Sequence, residues 1–276
     1  MMVAPPANPL ITSNLLSTQS SLVQTLCSFL TVSIHHLLYL RSIYPRVSFL
    51  STRAYNFPAR QNRHPAVCGW INCAVDAVRD QFEKNTVEKV AVCIFDVERN
   101  VVLEKWIFDL GTFPVIEKVD RDTPFEKPVG ENGGLQVSLR SRINIADLEA
   151  QFRAVLSRIA SASARLHPLP KNAECSFTVS IEIRDDADRP VGRLEKEERK
   201  WIAAEPEPWN PSENQHAESQ EDSEAESRLQ SGLGALAERG KTVPIRRLEA
   251  GELRMEVWVE ESKAKFARGS TTSTQS

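Results

Sequence analysis

Reactive chemistry has few places to sit in this sequence. Its 276 residues include five histidines and five cysteines. No HExxH, GxSxG, P-loop or strand–GxGxxG–helix pattern occurs, so the common hydrolase and nucleotide-cradle readings lack their motifs. His35 and His36 are adjacent on a helical stretch and therefore point apart. The nearest thing to a glycine-rich loop, GENGG at residues 130–134, has no strand before it and no Lys-Ser/Thr after it, and reads as linker. The cysteines (Cys27, Cys68, Cys73, Cys93 and Cys175) are odd in number, lie in or beside apolar stretches and form no CxxC pair. Buried, reduced thiols of an intracellular protein are expected. An excess of basic charge is missing as well: 34 Lys+Arg against 37 Asp+Glu leave a net charge of −3. That excludes a global phosphate-binding footprint and leaves room only for a local basic face. The expectation is a protein that is not an enzyme and holds no cofactor and no metal.

A long apolar run is present once. Residues 22–40, LVQTLCSFLTVSIHHLLYL, have the length of a membrane span. The run carries Gln24, His35 and His36, and no basic residue precedes it as a signal peptide would require. Leu22, Leu26, Phe29, Leu30, Ile34, Leu37 and Leu38 fall on one side of a helix, with Gln24, Ser28, Thr31 and His35 elsewhere, which predicts a buried core helix and no membrane partner. Residues 1–20, rich in Pro, Ser and Asn, read as a disordered lead-in.

Punctuation along the chain divides the rest. Tyr44-Pro45 ends the first helix. Residues 46–63 mix aromatic and basic side chains without helical period and read as a loop or short irregular strand segment. His64-Pro65 opens a second helix, with Val67, Ile71, Val75, Val78 and Phe82 as its stripe and an end near Lys84-Asn85. Residues 87–95 and 101–110 form a hairpin. Residues 117–144, with Gly and Pro scattered through them, are a loop insertion. Asn144 caps a third helix over 145–166, whose stripe is Leu148, Phe152, Val155, Leu156 and Ile159. Residues 175–184 alternate as a half-buried strand, and 191–202 read as its companion. Residues 205–240 are acidic and rich in Ser, Pro, Asn and Gln; such a stretch buries too little surface to offset its ordering entropy and reads as a disordered insertion. Strands follow at 242–247 and 253–260, then a polar tail at 267–276. Three main helices on one face of an antiparallel sheet make an α+β layer fold.

Three tryptophans suggest binding. Trp70 lies off the apolar stripe of the second helix, Trp201 ends a strand just before the acidic stretch, and Trp258 shares a strand face with Glu256 and Glu260. Buried core is the plain expectation for tryptophan, and an anchor of a peptide-binding surface is the functional one.

An ordered series of strings carries a resemblance. YPRVSF at 44–49, YNFP at 55–58, EKNTVEKVAVCIFD at 83–96, LEAQFRAVLSRI at 148–159 and CSFTVSIEIR at 175–184 come first. WIAAE at 201–205, VPIRRL at 243–248 and LRMEVWVEE at 253–261 continue it. Together they resemble the HORMA-domain family, in its branch of non-catalytic accessory subunits of DNA polymerase zeta. The resemblance spans most of 22–202 and 242–270 and implies one HORMA domain over residues 21–266. It also implies a mobile C-terminal safety belt that closes over a proline-containing peptide of the catalytic subunit. The expected role is an adaptor of translesion synthesis in the nucleus, bridging that subunit to a Y-family scaffold polymerase, with no direct sequence-specific binding of nucleic acid. A HORMA homodimer or heterodimer is also implied. A spindle-checkpoint or meiotic adaptor is the alternative. By position, Trp70, Trp201, Ile202 and Ala203 fall to the peptide, with Ala203 where relatives carry leucine. Arg153 falls to the dimer surface, and Thr242, Glu256 and Trp258 to the scaffold polymerase.

Overall fold

The computed structural model describes residues 15–16, 18–123, 143–185, 187, 201, 241–251 and 253–266. Residues 1–14 of the expected lead-in, Ile202 and Ala203, the strand expected at 191–202 apart from Trp201, the acidic stretch at 205–240, the middle of the 117–144 loop and the tail at 267–276 lie outside the described residues.

Helix α1 (Gln19–Leu40) runs through the core. Thr18 caps it, accepting from the Ser21 amide. Gln19 and Ser20, at the end of the stretch expected as a lead-in, thus belong to the helix. Leu15–Leu16 forms a short strand, β1, paired with Ile143–Asn144, β6, at the end of the loop insertion. The helix is buried around most of its circumference, so the expected polar side is only partial. His35 and His36 are 4% and 5% exposed. His35 Nδ1 accepts from the Asn62 amide at 3.3 Å, and the His36 ring stands edge-on to Phe57. Burial, with Arg60 nearby, pulls the His36 imidazole down to about 4. Burial likewise pushes the Cys27 thiol up to about 11, so it stays protonated. Cys27 and Cys93 are buried as expected, Cys68 and Cys175 are half-buried, and Cys73 is exposed.

The segment after α1 is more regular than its sequence suggests. Strands β2 (Phe49–Ala54) and β3 (Phe57–Asn62) form a full antiparallel hairpin in place of the expected loop or irregular segment. The two connecting residues, Tyr55 and Asn56, have φ of 51° and 57°. That is the left-handed pair of a type I′ turn, whose twist matches the flanking strands. Pro58 and the arginines hid the strands, since proline is tolerated only where no partner needs its amide.

Helix α2 (Pro65–Glu83) starts with proline in its first turn, where the missing N–H leaves no bond unmade. Asn85, at φ 59°, ends the turn after it. Helix α3 (Ile145–Arg165) is capped by Asn144, which accepts from the Ala146 amide at 2.9 Å. Phe29 of α1 stacks on Phe152 of α3 at 4.2 Å and meets Phe108 of the sheet edge-on, so α1, α3 and the sheet share one core.

The main sheet contains β4 (Val87–Asp96), β5 (Val101–Asp109), β7 (Cys175–Ile183), β8 (Lys241–Ala250) and β9 (Leu253–Glu261). Its order is β7-β4-β5-β9-β8, and every pairing is antiparallel. Alternation places Met255, Val257 and Val259 of β9 inward and Arg254 and Glu256 outward.

A buried charge network fixes the β8–β9 hairpin beside β5. Glu104 of β5 is fully buried. It accepts from Arg41 Nε at 2.9 Å, from Lys265 Nζ at 2.6 Å and from Trp106 Nε1 at 3.2 Å. Lys265 also donates to Glu261, the last residue of β9, at 2.5 Å. The lysine holds the Glu261 carboxyl below the usual carboxylate range, against the opposing effect of burial. Arg41 further donates to the backbone oxygens of Ser163 and His167, tying in the end of α3. Two cations and two anions thus neutralise one another where unpaired burial would be costly.

Candidate functional site

Strand β7 occupies one edge of the sheet and β8 the other. Four inter-strand gaps separate them, roughly 19 Å at the usual spacing. The chain leaving β7 at Ile183 therefore has to pass from one edge to the other before it enters β8 at Lys241. On its inner side β7 pairs with β4. Its outer side takes no strand among the described residues. An edge of this kind presents a row of backbone donors and acceptors to any extended chain laid along it.

Side chains equip that edge differently on its two faces. Phe177 is 7% exposed, and Val179 and Ile181 pack half-buried on the main core. On the helix-free face Glu182 receives Lys89 Nζ at 2.6 Å and Lys105 Nζ at 3.2 Å. Those two lysines hold its carboxyl below the ordinary range, although burial opposes them. Trp70 reaches the edge from α2. Its ring is 43% exposed and meets Phe177 edge-on at 4.7 Å. Tyr44 stands edge-on to Phe177 from another side at 6.3 Å. Nothing lies within 4 Å of where a side chain on Gly69 would begin, so there is open space beside Trp70 on the same helix. Trp201 is half-buried against the main core cluster, on the stretch that leads from β7 to β8.

Of the positions expected to contact a peptide, Trp70 thus lies at the β7 edge and Trp201 packs on the core. Ile202 and Ala203 are not described. Phe177 and Tyr44 were not singled out from sequence. Phe177 reads simply as an inward strand residue, and nothing local says that its strand ends the sheet.

Thr242, Glu256 and Trp258 come together at the opposite edge. They line one shallow groove with Pro244 and Arg247. Register explains this: Thr242 is opposite Glu260, Pro244 opposite Trp258 and Arg247 opposite Glu256. Trp258 Nε1 donates to Glu260 at 2.8 Å, and Arg247 reaches Glu256 at 3.5 Å. The indole also packs on Ala91, Cys93 and Ile107, a small cluster of the helix-free face. Pro244 sits beside a register shift on an edge strand, where its missing amide is tolerated. Arg153 is separate from both clusters. It is half-buried on α3 and makes no ion pair among the described residues. Among the described residues no three His, Cys, Asp or Glu side chains gather where they would hold a metal ion.

Comparison with known proteins agrees with this geometry. The HORMA domain model matches residues 21–191. The zebrafish (Danio rerio) mitotic spindle assembly checkpoint protein MAD2B is 26% identical over 241 residues, covering 87% of this chain and 90% of its own length. The human MAD2B protein is 30% identical over 180 residues, covering 65% of this chain and 74% of its own. The DNA polymerase zeta processivity subunit of Schizosaccharomyces pombe is 27% identical over 232 residues, covering 84% and 89%. Among solved structures, a chain of the mitotic checkpoint complex aligns with a TM-score of 0.54 at 16% identity, covering 87% of this chain and 97% of that one. C. elegans HTP-2 bound to HTP-3 closure motif 1 aligns with a TM-score of 0.52 at 10% identity, covering 89% and 87%. At these identities the solved structures show the fold alone. The matched family model and the curated relatives carry the conclusion that the chain belongs to the HORMA domain family and is similar to its MAD2B and polymerase zeta processivity-subunit members.

Proposed function

We propose that this chain is a non-catalytic adaptor of DNA polymerase zeta, acting in DNA damage bypass in the nucleus by holding a proline-containing peptide of the catalytic subunit against the outer edge of β7. One observation carries this reading: the β8–β9 hairpin is docked beside β5, at the far side of the sheet, so the outer side of β7 takes no strand among the described residues. An extended peptide added there gains main-chain hydrogen bonds, and pockets for alternate side chains set its register. Trp70 and Phe177 offer an aromatic surface for proline or another apolar residue at one end of that edge. The stretch that includes Trp201, Ile202 and Ala203 closes over the peptide from outside, and such closure slows dissociation. The names of the relatives from S. pombe and Arabidopsis thaliana, both DNA polymerase zeta processivity subunits, support the choice of partner.

In the same reading the Thr242, Glu256 and Trp258 groove receives the Y-family scaffold polymerase, and Arg153 lies on a surface for a second HORMA protein. A mitotic or meiotic adaptor is the competing reading, favoured by the spindle-checkpoint name of the MAD2B relatives. Affinity purification of the full chain from its own cells separates the two. A B-family polymerase recovered with the wild type and lost with Trp201→Ala supports the proposal. Recovery of mitotic or meiotic regulators in its place refutes it.

A further inference from the structure

The first acidic residue of the chain is Asp76. The 75 residues before it hold Arg41, Arg46, Arg53, Arg60 and Arg63, and no lysine. Arg41 is consumed by Glu104. The other four lie on or beside the β2–β3 hairpin: Arg46, Arg53 and Arg63 are exposed and Arg60 is half-buried. None forms an ion pair with a carboxylate among the described residues. In a chain of net charge −3 this is a marked local excess of one sign.

Arg46, Arg53 and Arg60 are brought together by definite contacts, with Arg63 just beyond the end of β3. Ser51 is opposite Arg60 and Arg53 opposite Pro58, so Arg53 and Arg60 are diagonal neighbours on the same face. Such neighbours are about 7–8 Å apart. Arg46 and Arg60 both lie over the Tyr39 ring, at 5.0 Å and 4.9 Å from its centroid, and Arg46 donates to the Tyr39 hydroxyl at 3.1 Å. The Arg63 amide donates to the Ser48 carbonyl at 2.8 Å, which sets Arg63 beside the turn that carries Arg46. Tyr39 therefore orders two guanidiniums in advance, and the hairpin register places Arg53 beside them.

We propose that this arginine face of the β2–β3 hairpin binds the phosphodiester backbone of nucleic acid without reading its sequence. Arginine forks match phosphate oxygens in pairs, and the exclusive use of arginine over lysine suits that geometry. A hairpin with cations and no carboxylate of its own, Glu149 of α3 acting only on Tyr55 at its turn, fits a uniformly charged polymer better than a partner whose charges alternate. A two-stranded ribbon standing apart from the main sheet also has the width that the major groove of B-form DNA admits. The surface is built from β2, β3, Tyr39 and the Arg46–Ser48 turn, so it shares no residue with the β7 edge. The proposal does not rest on the peptide reading, and the two fail separately.

The test is fluorescence anisotropy of the full chain with a labelled mixed-sequence duplex and the matching single strand, titrated with NaCl. Contacts to three or four phosphates predict a slope of log K against log salt of roughly −3. The Arg53→Glu/Arg60→Glu double variant is expected to bind about tenfold or more weakly at low salt, because it removes two such contacts and adds repulsion. Arg53→Glu alone, at an exposed position, carries the same direction should the double variant fail to fold. Arg53→Lys/Arg60→Lys is expected to keep most of the low-salt affinity, and Arg254→Glu on β9 to change nothing. Wild-type affinity in the glutamate variants, an equal loss with Arg254→Glu, or a flat salt dependence overturns the proposal. So does tighter binding of a polyglutamate peptide than of DNA, which would make the partner an acidic protein segment.

Discussion

Trp70 of α2 and Phe177 of β7 meet edge to face, with ring centroids 4.7 Å apart and planes at 76°. The pair joins the outer side of a helix to the last strand of the sheet. Phe177 is 7% exposed and Trp70 is 43% exposed, so one partner is core and the other is largely surface. Such an aromatic pair contributes on the order of 1 kcal/mol beyond its buried area. In the proposed reading, a tryptophan kept that exposed beside the outer side of β7, which takes no strand among the described residues, serves a ligand more than the fold.

Trp70→Ala is accordingly expected to cost the isolated protein only about 1 kcal/mol, the worth of the ring pair. Peptide affinity is expected to fall about tenfold or more, as for an aromatic interface anchor. Denaturant melts and calorimetric titration read the two effects apart. A large stability loss with unchanged affinity would make Trp70 a packing residue.

Trp201→Ala follows the same reasoning one step further from the sheet. Trp201 is half-buried on the core and lies on the stretch that leads from β7 to β8. Its removal is expected to weaken partner binding by about 2 kcal/mol or more. Unchanged affinity in calorimetry would remove it from the site.

The network around Glu104 makes a prediction about the hairpin. Lys265 bridges Glu104 and Glu261, and all three side chains are almost wholly enclosed. Lys265→Met leaves two buried carboxylates with one cation fewer, and breaking a buried pair in this way costs about 3–5 kcal/mol. Amide exchange in β9 should rise with it, because Glu261 ends that strand. A neutral effect on stability would mean that water reaches the network.

Acid sensitivity comes from His36. Its imidazole is pulled from 6.5 to about 4 by burial and by Arg60, and neither ring nitrogen has a hydrogen-bond partner among the described residues. The unfolded chain therefore takes up a proton below pH 6.5 that the folded chain refuses until about pH 4. Stability is present in full above pH 6.5 and is lost as pH falls through this window, by roughly 3 kcal/mol in total. His35, also lowered by burial, adds in the same direction. His36→Leu should flatten the loss between pH 6.5 and 4.5 without destabilising the protein at pH 7.5. Urea melts at several pH values check this, and an unchanged slope would assign the acid limb to other groups.

The local signals were strong where one residue fixes one feature. Pro65 set the start of α2, Asn144 capped α3, and alternation in β9 sorted Trp258 and Glu256 from Met255 and Val257. Neighbour relations were not legible. Alternation tells which face a residue takes but not which strand lies beside it, so the docking of β8–β9 next to β5 had no sequence signature. The β2–β3 hairpin was hidden for a different reason. Its turn is a Tyr-Asn pair in left-handed conformation, which is rarely tyrosine's choice, and Pro58 masked the second strand. His35 is the exception on the polar side of α1, where Gln24 and Ser28 are exposed, because Asn62 of that same hairpin covers it, as Phe57 covers His36.

Hydrogen exchange on the full chain, alone and with the proposed partner, a proline-containing segment of a polymerase zeta catalytic subunit, tests the peptide-edge account most directly. New protection in Cys175–Ile183, with the outer edge of Lys241–Ala250 unchanged, is the predicted result. Protection confined to Lys241–Ala250, or a complex that leaves Cys175–Ile183 exchanging as before, would contradict it.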